Sequence, residues 1–265
     1  MLSGAFSYWF GNWSITVALI IFLILNYLAG EGWLTKKYKA FGLNYEVPKV
    51  EYTIGALQEL NNGASIRQSQ EHTLGILTNW KKKFEGAPPP KMVFICSSGG
   101  GKRAALWTLA ALQLADSLTG GKLMNQSILI TGASGGLIGA SYFREVVLRE
   151  KLGENVHPYS SSHQQKIATD NLNPLIFSLL ANDLFVGFNK FEYAGQRYSR
   201  DRGYTFEEQL NIDTEGMMDK PLSEYQKPEA DAIVPMIILS PTIVNDGRKL
   251  YISPQPVTYL NSDIL

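Results

Sequence analysis

Apolar and polar positions fall in blocks along this chain. From Met1 through Gly30 there is no Asp, Glu, Lys or Arg. The stretch from Ile15 to Leu25 is almost wholly apolar. Counted from Phe10 it reaches about 20 residues, the length a helix needs to cross a bilayer core. A helix satisfies its own backbone groups in lipid, so such a segment is viable there. Trp9, Trp13, Tyr27 and Trp33 lie near its ends, as interfacial aromatics do. The pattern predicts one transmembrane helix at 10–29, with a buried core helix as the alternative. No Lys or Arg precedes the apolar run, which argues against a cleaved signal peptide. Lys36, Lys37 and Lys39 follow it, which places the C-terminal bulk in the cytoplasm.

Residues 31–90 read as a stalk. Leu74, Leu77, Trp80 and Phe84 recur at helical spacing, which predicts an amphipathic helix near 65–85. Lys81, Lys82 and Lys83 suit either anionic lipid heads or a solvated helix end. Pro88-Pro89-Pro90 ends the helix, and a domain is expected over 91–265. Met92–Cys96 is a short apolar run of buried-strand type. Ser97-Ser98-Gly99-Gly100-Gly101 follows. Lys102 to about Leu118 is apolar on most faces, which predicts a buried helix. Ser127–Ile130 is a second strand, and Thr131–Gly136 turns into a third apolar segment, helical from Leu137 to about Leu148. Strand–helix–strand–helix at this spacing implies α/β architecture with a parallel sheet covered by helices.

Composition removes several classes. Lys+Arg and Asp+Glu each total 24, so no basic field favours nucleic acid. The single cysteine, Cys96, excludes an internal disulfide framework and reads as strand packing. The histidines, His72, His157 and His163, form no metal or triad motif.

Gly132-Ala133-Ser134-Gly135-Gly136 matches G-x-S-x-G, the nucleophile elbow. In that turn the flanking glycines admit neighbouring elements, and the hydroxyl rises at a helix N-terminus where negative charge is favoured. The amides of Gly99, Gly100 and Gly101, unshielded by side chains, suit an oxyanion hole for acyl transfer. Lys102 and Arg103 sit in the first turn of a helix, where cations oppose the dipole. Either they meet an anionic lipid head group or they reach solvent.

These two motifs, in this order and about thirty residues apart, resemble the patatin-like phospholipases. Asp201-Arg202-Gly203-Tyr204 and Ser240–Lys249 carry weaker echoes of bacterial members, so the resemblance covers roughly 91–265. It implies a three-layer α/β/α domain with a mainly parallel central sheet behind the N-terminal transmembrane helix. It also implies a Ser–Asp dyad without histidine, metal or cofactor, acting on acyl esters of membrane lipids. Gly132 and Gly136 flank the Ser134 nucleophile, and Gly99, Gly100 and Gly101 supply the oxyanion hole. Lys102 and Arg103, next to that loop, are candidate substrate contacts, with solvent as the alternative. Ala104 stands where the loop motif ends in glycine. The D-G-[GA] motif of the dyad aspartate is not found. Asp246-Gly247 is followed by Arg248, so Asp246 is either the partner or a hairpin turn with the aspartate beyond residue 265. In the second case this chain is incomplete and inactive.

Other readings carry less. Thr131–Gly139 misses the short-chain dehydrogenase nucleotide loop by one position, and Tyr45 and Lys49 lie upstream. Gly101-Lys102-Arg103 lacks the Ser or Thr of a P-loop. The main alternative is a membrane-anchored lipid-binding module of the same fold without turnover. Asn171–Phe188, with Leu175, Ile176, Phe177, Leu179, Leu180, Leu184 and Phe185, lines an acyl channel or is plain core.

Overall fold

The uncharged N-terminal block is helical from end to end. A computed structural model of the chain describes residues 2–30, 41, 46–49, 51–180, 190–193, 195–244 and 246–261. In it α1 (Leu2–Phe10) passes through a 3-10 turn at Gly11–Trp13 into α2 (Ser14–Gly30). Gly11 takes φ +50°, and the Ser14 hydroxyl donates back to its carbonyl at 2.6 Å, so a helix expected to be uninterrupted is broken here. Phe6–Leu25, 20 residues, is long and apolar enough to cross a membrane, and none of it is buried. Trp33, Lys36, Lys37 and Lys39 lie outside the described residues.

The chain divides into two compact units, residues 1–45 with 191–199, and 46–190 with 200–265. The first holds the N-terminal helices and most of a two-stranded pair, β3 (Lys190–Tyr193) with β4 (Gln196–Ser199). Phe41 packs edge-on against Tyr193 and Tyr198 of that pair.

The second unit is mixed α/β. It runs α3 (Ile54–Leu60), α4 (Gly63–Lys82), β1 (Val93–Ser97), α5 (Gly101–Leu118), α6 (Lys122–Gln126) and β2 (Ser127–Gly132). Then come α7 (Ser134–Lys151), α8 (Ser161–Ala168), α9 (Leu172–Ser178), α10 (Arg202–Asp213), α11 (Gln226–Ala230) and β5 (Met236–Leu239). The three strands form a parallel sheet in the order β1-β2-β5. Ile130 and Ile237 pack with Leu109 of α5 and with Phe143 and Val146 of α7. Alternate residues Met236 and Ile238 pack instead with Ile76 of α4 and Val257. The helix expected in the stalk is therefore part of this unit.

Three expectations shift. β1 is the sheet's edge and alternates, so Phe94 and Cys96 are exposed and the Cys96 thiol is not core packing. Only the Ala105–Leu109–Leu112 face of α5 is buried, whereas Trp107, Leu114 and Leu118 are exposed. On α4 the buried residues include Ile76 and Trp80, and Leu74 faces solvent. Lys83 donates to the Asn125 and Ala232 carbonyls at 3.1 and 2.8 Å, which ties down the end of α4.

Beyond its first turns α7 buries two charges in succession. Arg144 pairs with Glu229 and donates to the Pro235 carbonyl at 2.7 Å. Glu229 also accepts from the Ile237 N–H at 3.0 Å and from Gln255 at 3.1 Å. Glu145 accepts from Tyr225 at 2.7 Å and pairs with Arg149 and Lys220, each at 2.8 Å. The network locks α7 to α11 and the entry of β5. Arg144→Met strands a buried carboxylate and is expected to cost about 3–5 kcal/mol in urea unfolding. Adding Glu229→Gln recovers part of that loss, because a neutral amide oxygen still accepts from Ile237. No recovery in the double variant would deny that the unpaired charge is the cause.

Candidate functional site

In-register pairing sets the site. Ser97 is the register partner of Gly132, and the Ala133 N–H donates to the Ser97 carbonyl at 3.0 Å. The loop leaving β1 and the turn leaving β2 therefore start side by side on the carboxyl edge of the sheet, where open α/β sheets place ligands.

Ala133 is still extended, at φ −133°, ψ 142°. Ser134 then takes φ +50° and opens α7. Among the described residues only Glu215 and Ala232 share a positive φ without being glycine. Such a conformation costs a non-glycine residue about 1–3 kcal/mol and collects at functional sites. The turn leaves Ser134 exposed at the N-terminus of an 18-residue helix. No side chain among the described residues hydrogen-bonds its hydroxyl.

The glycine loop lies against this turn. A methyl group at Gly99 would sit 3.3 Å from the Ser134 Cβ. Gly100 and Gly101 take φ +144° and +59°, a path that side chains disfavour. A Cβ on Gly135 would overlap the Gly101 carbonyl, and one on Gly136 the Ser98 carbonyl. No protein acceptor among the described residues takes the Gly99, Gly100 or Gly101 N–H. Two helix N-termini and the triple-glycine loop thus come together at Ser134, an arrangement that favours anions.

Ser134 opens on a cavity of about 450 Å³, walled by Ile138, Ile167, Leu172, Leu175, Phe206 and Leu210. Lys102, Lys166, Asp170 and Asp213 also line it. Lys102 is half-buried. Its burial holds the ammonium below the ordinary lysine range, and the Asp213 and Asp170 carboxylates pull the other way. Asp213 is half-buried and accepts from Gln209 at 2.9 Å. Asp170 is exposed and accepts from the Leu172 N–H at 2.9 Å.

Lys102 and Arg103 part company, since Arg103 is exposed and does not line the cavity. Asp246 does not line it either. Its carboxylate accepts from Tyr52 at 3.0 Å and from Arg248 at 2.7 Å, in a turn closed by the Thr242–Lys249 bridge. The Arg248 backbone N–H, which donates to Asp246 at 3.0 Å, and then those side-chain bonds hold the Asp246 carboxyl below its usual range. Asp201 caps α10 by accepting from the Tyr204 N–H at 2.8 Å, which accounts for that segment structurally. Leu172 and Leu175 of the acyl-channel stretch face the cavity, Phe177 is exposed, and Leu184 and Phe185 lie outside the described residues. His163 bonds Tyr142 at 2.9 Å and His72 bonds Gln255 at 2.8 Å, away from Ser134. Asp170, Asp213 and Lys166 carry no motif. They reach the site because α8, α9 and α10 pack over it, which no local pattern announces. Among the described residues no cluster of His, Cys, Asp or Glu is placed to hold a metal ion.

The close contact is testable without assuming any activity. Gly135→Ala is expected to destabilise by about 1–3 kcal/mol in urea unfolding through overpacking against Gly101. Gly75→Ala, in open space on α4, is expected to stabilise by about 0.5–1 kcal/mol. Equal effects of the two would rule out the clash. No family model matches the chain, and neither does any curated protein or solved structure, so the geometry of the site carries the functional reading by itself.

Proposed function

We propose that this chain is a membrane-anchored, serine-dependent acyl ester hydrolase of the patatin-like kind, acting on lipids. The observation that carries the reading is a strained, exposed serine against a triple-glycine loop, opening on a cavity lined by apolar and charged side chains. The parallel β1-β2-β5 sheet between α4 and the α5–α7 pair supports a three-layer α/β/α architecture. The apolar stretch Phe6–Leu25 supports anchoring in a membrane, and a cytoplasmic second unit rests on Lys36, Lys37 and Lys39.

In this mechanism the Ser134 Oγ attacks the ester carbonyl carbon and its proton passes to a carboxylate. The Gly99, Gly100 and Gly101 amides hold the resulting oxyanion, a contribution worth about 2.7–4 kcal/mol per donor in related chemistry. The tetrahedral species collapses to an acyl-serine as the alcohol leaves with a proton, and water then releases the acid. Asp213 is the described carboxylate best placed as base, ahead of Asp246, because it lines the cavity half-buried. The bond to Ser134 is not formed in the free protein, and catalytic hydrogen bonds often tighten only with substrate. The acyl chain lies along Ile138, Leu172 and Leu175. Lys102 faces the head group.

The hydroxyl's lack of a hydrogen-bonded base favours a second reading, a lipid-binding module without turnover. A fluorophosphonate probe separates the two. Labelling at Ser134 marks an activated serine, and an unlabelled protein that still binds lipid is the module.

Ser134→Ala is expected to lower p-nitrophenyl butyrate hydrolysis by at least about 10³-fold with unchanged circular dichroism. Retained turnover would remove Ser134 from the chemistry. Asp213→Asn is expected to cost a comparable factor while Asp246→Asn costs little. The reverse pattern would return the base to Asp246.

A further inference from the structure

We infer that the outward face of α9 is a docking surface for a lipid bilayer, which it enters by apolar contact without needing anionic lipid. Leu172, Ile176, Phe177 and Leu180, on α9 and just past its end, are 45–69% exposed. From Asn171 through Leu180 there is no Asp, Glu, Lys or Arg. A single exposed apolar residue is ordinary. Several close together, with no charge among them, mark a contact surface.

What this surface adjoins names its occupant. Leu172 faces solvent and also lines the Ser134 cavity, and Leu175 lines it beside Leu172. The exposed face of α9 is therefore continuous with the cavity wall. A long-chain ester loses free energy with every methylene it shows to water. A bilayer seated on α9 would pass such a chain into the cavity without that exposure. The chain also carries Phe6–Leu25, long and apolar enough to cross a membrane. Docking in this form rests on the lipid hydrolase reading, since a bilayer is where that substrate resides.

The charges nearby set the kind of lipid. Lys166 pairs with Glu215 at 2.8 Å. Lys102 shares the cavity lining with Asp170 and Asp213. Cations so balanced by carboxylates make no basic field, so anionic head groups gain nothing here. The helix is also held before it meets lipid. The Asp170 carboxylate accepts from the Leu172 N–H at 2.9 Å, at the start of α9. Leu172 and Leu175 share the cavity wall with Phe206 and Leu210 of α10. A surface fixed in advance loses little freedom on docking.

The test uses the full chain in phosphatidylcholine vesicles. Cys96→Ser removes the single cysteine, and Phe177→Cys then carries an NBD label. Lipid with a doxyl group on its acyl chain is expected to quench that label at least about threefold more than one on Glu71→Cys, an exposed position of α4. Phosphatidylglycerol or added salt is expected to change the quenching little. Ile176 and Phe177 do not line the cavity. Replacing both by Ser is expected to slow hydrolysis of vesicle-borne p-nitrophenyl palmitate at least about fivefold, and of soluble p-nitrophenyl butyrate by less than about twofold. Ser134→Ala is expected to stop both hydrolyses and leave the quenching intact, so docking and chemistry fail separately. Equal quenching of the two labels overturns the proposal, as does quenching that requires phosphatidylglycerol or disappears in salt. A label at position 177 shielded by self-association, and untouched by doxyl lipid, overturns it in favour of a second copy of the chain.

Discussion

At the crossing of α5 and α7 the Gly135 Cα faces the Gly101 carbonyl with no room for a side chain, and Gly139 meets the Ala105 carbonyl in the same way. Helices come this close only where side chains are absent or nearly so. The consequence is electrostatic as much as steric. Each helix N-terminus carries roughly half a positive charge on unsatisfied N–H groups, and the contact brings two of them together. An anion placed between them relieves their mutual repulsion. An oxyanion forming beside Ser134 would occupy that position, which gives the crossing a chemical meaning beyond packing.

The same crossing explains how a strained serine persists. Left-handed Ser134 is held from both sides, by the β2 ladder before it and by a long, largely buried α7 after it. The C-terminal half of α7 is fastened by Arg144 and Glu145, whose partners Glu229, Tyr225 and Lys220 lie in α11 and in the segments before it. Ion pairs of this sort seldom add net stability. Their value here is positional, since rotating α7 would strand charges at one end and collide glycines with carbonyls at the other.

Lys102 illustrates the balance at the mouth of the cavity. It adds positive charge to a region already positive from two helix ends, and Asp170 and Asp213 line the same space. Carboxylates near converging helix N-termini are favoured on the same electrostatic ground as the oxyanion.

Much of this was legible before any coordinates. Periodicity and glycine punctuation located β1, α5, β2 and α7 to within a few residues, because local sterics and hydrophobic spacing act over short stretches. G-x-S-x-G and the triple glycine marked positions where backbone must approach backbone, a requirement that leaves its trace in composition. What the chain alone did not disclose was which side of each element meets another. The exposed Cys96 and Phe94 follow from β1 lying at a sheet edge, and the open face of α5 from its packing on one side only. Asp170 and Asp213 come to line the cavity that Ser134 opens on, and Asp246 turns to Tyr52, through contacts between segments distant in sequence. A carboxylate carries no mark of its partner in its own neighbourhood. Spacing along the chain determined the elbow and the loop, whereas the charges around them were decided by tertiary packing, because proximity in space is a property of the folded whole.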